Sequence, residues 1–211
     1  MPVYPICNVL EHILLPLKGY SRVDLSHPDL WDRFFYERKE MKSLNEIYSQ
    51  FPDSDKGTVH TYMDFYETAL EPYRNTRNCV MEIGVKEGGS IRMWSEYFPH
   101  AEIIGVDIVD PPGEYPEATI VVGDATRAET FEYLDNFDVI IDDGSHRLQD
   151  QLATFHLLWP KLNPGGVYLI EDIHDLEWVR HHFEALAPNV VIHDWRREKN
   201  RADDIIIEIR K

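Results

Sequence analysis

Two short runs concentrate the groups of this chain that could do chemistry. Phe137–His146 reads F-D-V-I-I-D-D-G-S-H, passing from an apolar, β-branched stretch into two carboxylates, a hydroxyl and an imidazole. Val167–Asp172 reads V-Y-L-I-E-D and also ends in two acids. An imidazole titrates near neutrality and can move a proton. Paired carboxylates repel each other by about 4 kcal/mol at roughly 4 Å and an effective dielectric of about 20. Crowding them requires a ligand with hydroxyl or ammonium donors, a metal ion, or both. An isolated D-D-G is equally consistent with a solvated turn, so the weight falls on the elements that carry these runs.

Those elements alternate. Cys79–Ile83, Glu102–Asp107, Thr119–Val122, Phe137–Ile141 and Val167–Ile170 read as short buried strands, and each ends in an acid or a Gly-acid pair: Glu82, Asp107, Asp124, Asp142 with Asp143, and Glu171 with Asp172. Helical spacing separates several of them, with Ile91, Trp94 and Phe98 on one face and Leu148, Leu152, Phe155 and Trp159 on another. N-P-G-G at Asn163–Gly166 reads as a turn. A helix over Leu176–Leu186, with Trp178 and Phe183 as core, precedes two closing strands, Val190–His193 and Ile205–Ile209. The pattern predicts a doubly wound α/β fold, a mostly parallel seven-stranded sheet of the Rossmann-like kind, over residues 54–211. Ligands of such sheets bind beyond the carboxyl ends of the strands, which puts Asp142, Asp143 and His146 where chemistry is done.

Residues 1–53 read as an N-terminal helical extension, with loop and one short helix around Val9–Leu17 and a helix over Leu30–Phe51 stopped by Pro52. The segment Ser54–Tyr62 leads into a further helix ending near Leu70, capped by Thr58. It reads either as a polar loop before a helix or as a loop that brings Lys56, His60 and Tyr62 to a ligand. The basic run Arg196, Arg197, Lys199 and Arg201 reads as a solvated connection.

The chain has 211 residues and a net charge of -17, which disfavours a nucleic-acid partner. Two cysteines, Cys7 and Cys79, make no disulfide framework and fit a reducing compartment. No stretch reads as a signal peptide or a membrane span, so the expected location is the cytoplasm with no membrane partner.

The first strand-to-helix turn, E-I-G-V-K-E-G-G-S over Glu82–Ser90, narrows the ligand. It lacks the G-x-G-x-x-G spacing that admits a pyrophosphate, which argues against a nicotinamide dinucleotide. Glu82 and Glu87 would repel phosphate. An acid-flanked glycine turn suits a cofactor with a positive, phosphate-free body, as S-adenosylmethionine has.

Together, D-K-G-T-V-H-T-Y, M-E-I-G-V-K-E-G-G-S-I-R-M-W, I-I-G-V-D-I, V-G-D-A-T, I-I-D-D-G-S-H and L-N-P-G-G-V-Y-L-I-E-D-I resemble class I S-adenosylmethionine-dependent methyltransferases. More narrowly, they resemble the metal-dependent mycinamicin-type sugar O-methyltransferases and their cephalosporin-hydroxylase-like relatives. The resemblance covers a little over half the chain. It implies that Glu82, Gly84, Gly88, Gly89, Ser90, Asp107, Gly123, Asp124, Ala125 and Asp142 form the cofactor site, with His60 and Tyr62 added from the preceding loop. It implies Asp143, Glu171 and Asp172 as ligands of a divalent metal, Mg²⁺ first, and His146 as general base. Asp142 and Asp143 can exchange roles at this level. The implied partner is a small-molecule hydroxyl acceptor of the glycoside kind, and a homo-oligomer is compatible with the resemblance. The alternative is a non-catalytic binding or structural module that keeps the fold.

Overall fold

The computed structural model describes residues 41–51, 53–187, 189–198 and 200–211. The reading of Val9–Leu17 and most of that of Leu30–Phe51 lie outside these residues. Within them, the first helix is short: α1 covers Leu44–Tyr48. Ser43 starts it, accepting from the Glu46 amide while the Glu46 carboxylate accepts from the Ser43 amide. This reciprocal cap explains why helix begins at Leu44 and does not run through Met41.

Helix α2 is Met63–Leu70. It starts five residues later than the expected Thr58 cap, because Lys56–Tyr62 forms a tight irregular turn with Val59 and His60 both donating to the Asp55 carbonyl. The remaining elements are β1 (Cys79–Ile83), α3 (Gly89–Tyr97), β2 (Glu102–Asp107), β3 (Ala118–Val122), β4 (Phe137–Asp142), α4 (Leu148–Leu158), β5 (Leu162–Ile170), α5 (Leu176–Leu186), β6 (Val190–Asp194) and β7 (Ile205–Arg210). The strands make one seven-stranded sheet in the order β3-β2-β1-β4-β5-β7-β6. All neighbours are parallel except β5–β7 and β6–β7. This is the doubly wound, mostly parallel seven-stranded sheet of the Rossmann-like kind expected from the strand pattern.

Two readings change at β5 and α5. The N-P-G-G segment is not a turn ahead of the strand. Phe137 pairs with Leu162 and Val139 with Val167, so Asn163–Gly166 is taken up as a bulge within β5. Gly165 has a φ of 83°, which suits glycine. Trp178, expected in the core, is 63% exposed and stacks on His182 one helical turn along. The buried face of α5 is Val179 and Phe183 instead.

Pleating explains why the central strands read as continuous apolar runs. Val80, Val139, Ile141, Val167 and Leu169 point to one face, where Trp94, Tyr97 and Tyr66 pack. Met81, Ile140, Tyr168 and Ile170 point to the other, under α4 and α5. Helices thus cover both faces. Among the described residues no helix is long and apolar enough to cross a membrane. On the second face Phe155 is central, with the rings of Trp159, Tyr168 and Phe183 at centroid distances of 5.1, 5.2 and 5.2 Å. Phe155→Ala is expected to lower unfolding free energy by about 3–5 kcal/mol, measured by urea denaturation. A loss below about 1 kcal/mol would contradict a tightly packed ring cluster there.

Candidate active site at the carboxyl ends of the strands

The strand order reverses between β1 and β4, whose helices leave on opposite sides, and that crevice is where ligands of such sheets settle. Backbone bonds continue the parallel ladder one residue past the strands. Asp143 N donates to Ile83 O at 2.9 Å, and Glu171 N to Asp142 O at 3.0 Å. The acids expected at the strand ends are therefore held on one rim by the sheet itself. At Gly84 (φ 90°) the backbone comes so near this rim that a Cβ would lie 1.9 Å from the Asp143 carbonyl oxygen. Only glycine fits there.

Adjacent strand residues face opposite ways, so Asp142 and Asp143 serve different places. Asp142 lines a cavity of about 390 Å³ together with Gly84, Asp107, Ile108, Gly123, Asp124, Ala125, Ser145 and Thr154. That volume is within the range of small-molecule sites. Asp107 organises the near wall: Oδ2 accepts from the amides of Val85 and Lys86 at 2.8 and 2.9 Å, and Oδ1 from Val109 at 3.0 Å. Asp124 accepts from the Thr126 hydroxyl and amide, which hold its carboxyl below the usual range.

The other residues expected around a cofactor lie outside this lining. Glu82 is fully buried and accepts from the Ser90 hydroxyl at 2.6 Å. Gly88 and Gly89 make room for Tyr115 and for the backbone at Asp53 and Ser54. His60 and Tyr62 are buried behind Asp172, the Tyr62 hydroxyl donating to Asp172 Oδ1 at 2.7 Å. His60 Nδ1 lies 3.1 Å from Asp204 and 3.3 Å from Asp172. Sequence reasoning missed Ile108, Ser145 and Thr154 in the cavity. The cue the sequence offers for Ile108 is its place directly after the acid that ends β2; its 69% exposure is seen only in the structure.

Asp143 belongs to an acidic cluster on the β4–β5 side. His146 Nε2 is 3.0 Å from Asp143 Oδ1, and His146 Nδ1 is 3.6 Å from Asp172 Oδ2. His146 and Asp172 both adopt left-handed backbone, with φ of 57° and 56°. These conformations cost energy for non-glycine residues and gather at functional sites. Burial alone would depress the imidazole, but the hydrogen bond and charge of Asp143, with Asp172, hold it above its ordinary value. Two groups of side chains in the cluster could converge on a cation: Asp143 with His146 and Asp172, and Glu82 with Asp143 and Glu171. The three acids expected as metal ligands are thus divided, and share Asp143.

Lys56 sits inside the second group. Its Nζ lies 2.6 Å from Asp143 Oδ2, 2.5 Å from Glu171 Oε1 and 3.2 Å from Glu82 Oε1. The side chain is 1% exposed. Burial would lower the ammonium, but the three carboxylates raise it well above the ordinary lysine value. Tyr66 also donates to Glu171 Oε1.

Burial pushes the Asp142 carboxyl up to about 7. The folded protein therefore keeps a proton there that the unfolded chain releases, and stability falls as pH rises from about 4 towards about 7. Asp142→Asn cannot ionise. Between about pH 5 and pH 8 it is expected to lose less stability than wild type, by on the order of 2–3 kcal/mol in urea unfolding. Equal losses in the two proteins would rule out a buried titrating Asp142.

Comparison with known proteins sets this geometry in context. A family model described as a methyltransferase domain matches residues 81–173. The 8-demethyl-8-alpha-L-rhamnosyl tetracenomycin-C 2'-O-methyltransferase of Streptomyces olivaceus is 38% identical over 137 residues, covering 59% of this chain and 36% of that protein. The mycinamicin VI 2''-O-methyltransferase of Micromonospora griseorubida is 35% identical over 148 residues, covering 64% and 37%. The chain spans little more than a third of the length of these relatives. Among solved structures, the MycE methyltransferase in complex with Mg, SAH and mycinamycin VI is 27% identical with a TM-score of 0.67, covering 82% of this chain and 55% of that one. Residues 81–173, which carry both the cavity and the acidic cluster, are a methyltransferase domain.

Proposed function

We propose that the chain is an S-adenosylmethionine-dependent, divalent-metal-assisted O-methyltransferase acting on a sugar-like hydroxyl of a small molecule. The observation that carries this reading is the meeting of two sites at one rim. A cavity walled by Gly84, Asp107, Asp124 and Asp142 adjoins His146, which is held between Asp143 and Asp172. Relatives named as O-methyltransferases, one of them of a rhamnosyl compound, support the same reaction class.

The residues present fit both groups. The cavity wall is acidic and free of a phosphate cradle, as an ammonium and sulfonium cofactor requires. Asp107 would face the ribose hydroxyls with the lone pairs its backbone bonds leave free, and Ile108 would lie against the adenine. Asp143 and Asp172 are hard oxygen donors suited to Mg²⁺ or Mn²⁺, with Glu171 adjoining. When bound, such a cation would polarise the acceptor hydroxyl and lower its pKa. His146 then takes the hydroxyl proton. The acceptor oxygen forms a bond to the methyl carbon as the carbon–sulfur bond breaks, and the sulfonium leaves as a neutral thioether. The sheet rim supplies alignment by fixing both sites on adjoining strand ends. A net charge of -17 disfavours a nucleic-acid acceptor.

Calorimetric titration with S-adenosylmethionine, followed by S-adenosylhomocysteine release on a panel of glycosides, tests this reading. Wild type is expected to bind in the micromolar range and turn over with added Mg²⁺. His146→Ala is expected to keep cofactor binding and lose about 10²–10⁴-fold in turnover. No cofactor binding by wild type would point to a non-catalytic module, and full activity in His146→Ala would remove the assigned base.

A further inference from the structure

Asp143, Glu171 and Asp172, the acids expected to hold the divalent ion, carry two oxygens each, and one oxygen of each already has a protein donor. The Tyr62 hydroxyl donates to Asp172 Oδ1 at 2.7 Å. Lys56 Nζ donates to Glu171 Oε1 at 2.5 Å, and the Tyr66 hydroxyl donates to the same oxygen. Lys56 Nζ also donates to Asp143 Oδ2 at 2.6 Å. All three donors come from one short segment. Tyr62 and Tyr66 are four residues apart at the start of α2, so one side of the helix presents both phenols, with ring centroids 6.5 Å apart. The turn before the helix delivers Lys56. Lys56, Tyr62 and Tyr66 are buried, as are Glu171 and Asp172, so these donors face little competition from water. The turn is tied down in its own right: Asp204 accepts from the Thr61 amide and hydroxyl and lies 3.1 Å from His60 Nδ1.

The remaining oxygens are Asp143 Oδ1, Glu171 Oε2 and Asp172 Oδ2. An oxygen that already accepts a short hydrogen bond, above all from an ammonium, is a poor donor to a further cation. Each acid therefore offers a cation one oxygen and not a two-oxygen grip. That distinction sorts ions by size. Ca²⁺ favours a larger oxygen shell and often grips a carboxylate by both oxygens, whereas Mg²⁺ demands a compact octahedron and keeps several waters. We infer that Lys56, Tyr62 and Tyr66 select the ion at this site. By occupying one oxygen of each acid they confine the carboxylates to one-oxygen coordination, and so favour a small octahedral cation, Mg²⁺ or Mn²⁺, over Ca²⁺. They touch the acids and not the reacting atoms, so they are positioning residues. This inference rests on the metal-assisted reading above, and its test separates the two.

The test is calorimetric titration of the full chain with Mn²⁺ and, separately, with Ca²⁺. Wild type is expected to bind Mn²⁺ more tightly. Tyr62→Phe frees Asp172 Oδ1 and is expected to raise Ca²⁺ affinity relative to Mn²⁺, narrowing the ratio by about 10-fold. Tyr66→Phe is expected to narrow it less, because Lys56 stays on Glu171 Oε1. Tyr73→Phe removes a phenol bonded to the Gly165 carbonyl instead and is expected to leave the ratio unchanged. A purely structural role for Tyr62 would weaken both ions alike and leave the ratio where it was. An unchanged ratio in Tyr62→Phe, or a wild type that prefers Ca²⁺, would overturn the inference and leave the metal-assisted reading in place. Should Tyr62→Phe fail to fold, Tyr66→Phe decides the matter, and an unchanged ratio there overturns it. No binding of either ion by wild type would remove the metal-assisted reading and this inference with it.

Discussion

The structure depends on one buried positive charge. Glu82, Asp143 and Glu171 come from the ends of β1, β4 and β5, and parallel pairing forces those ends together. Their mutual repulsion in a dehydrated rim would oppose the sheet that creates it. Lys56 neutralises part of that charge from a loop far away in sequence. Removing one partner from a buried ionic group commonly costs about 3–5 kcal/mol, because the remaining charges stay desolvated. The same cluster anchors α2, since Tyr62 bonds to Asp172 and Tyr66 to Glu171. Helix, loop and strand ends are thereby joined through polar contacts at the place where the proposed chemistry occurs.

Pleating gives this rim its division of labour. Asp142 and Asp143 are consecutive, yet one lines the cavity and the other enters the acidic cluster. Their environments differ accordingly. Burial, with the Asp143 charge adding to it, raises the Asp142 carboxyl, whereas Lys56 and His146 outweigh burial and hold Asp143 below its ordinary range. Two identical side chains thus titrate in different ranges, one on each side of a single strand.

Much of this was legible from local sequence. The strands announce themselves through short β-branched runs, and the acids at their ends follow from where those runs stop. Chain order alone also places Asp143, His146, Glu171 and Asp172 near one another once the sheet is parallel. Other features depend on distant contacts. Lys56 is 87 residues from Asp143 and 115 from Glu171, and nothing in D-K-G says that its ammonium turns inward. His60 points to Asp204, a residue with no local tie to it. The late start of α2 follows from the turn that delivers Lys56, which helix propensity does not register. Trp178 was misread because helical spacing gives a face but not which neighbour covers it. The N-P-G-G bulge has the composition of a turn, and only the pairing of its flanks with Phe137 and Val139 shows that the strand continues through it.

The left-handed backbone at His146 and Asp172 carries a consequence for how this site can diversify. A residue there must suit its chemistry and also tolerate a positive φ, which β-branched side chains strongly resist. Asn, Asp, His and Gly remain affordable, while Val, Ile and Thr would disturb the rim before any question of reactivity arose. The alphabet open to drift at these two positions is therefore short and mostly polar. Chains on this scaffold that lose the reaction could still keep hydrogen-bonding residues there, so a polar pair at these positions records the shape of the turn as much as the activity.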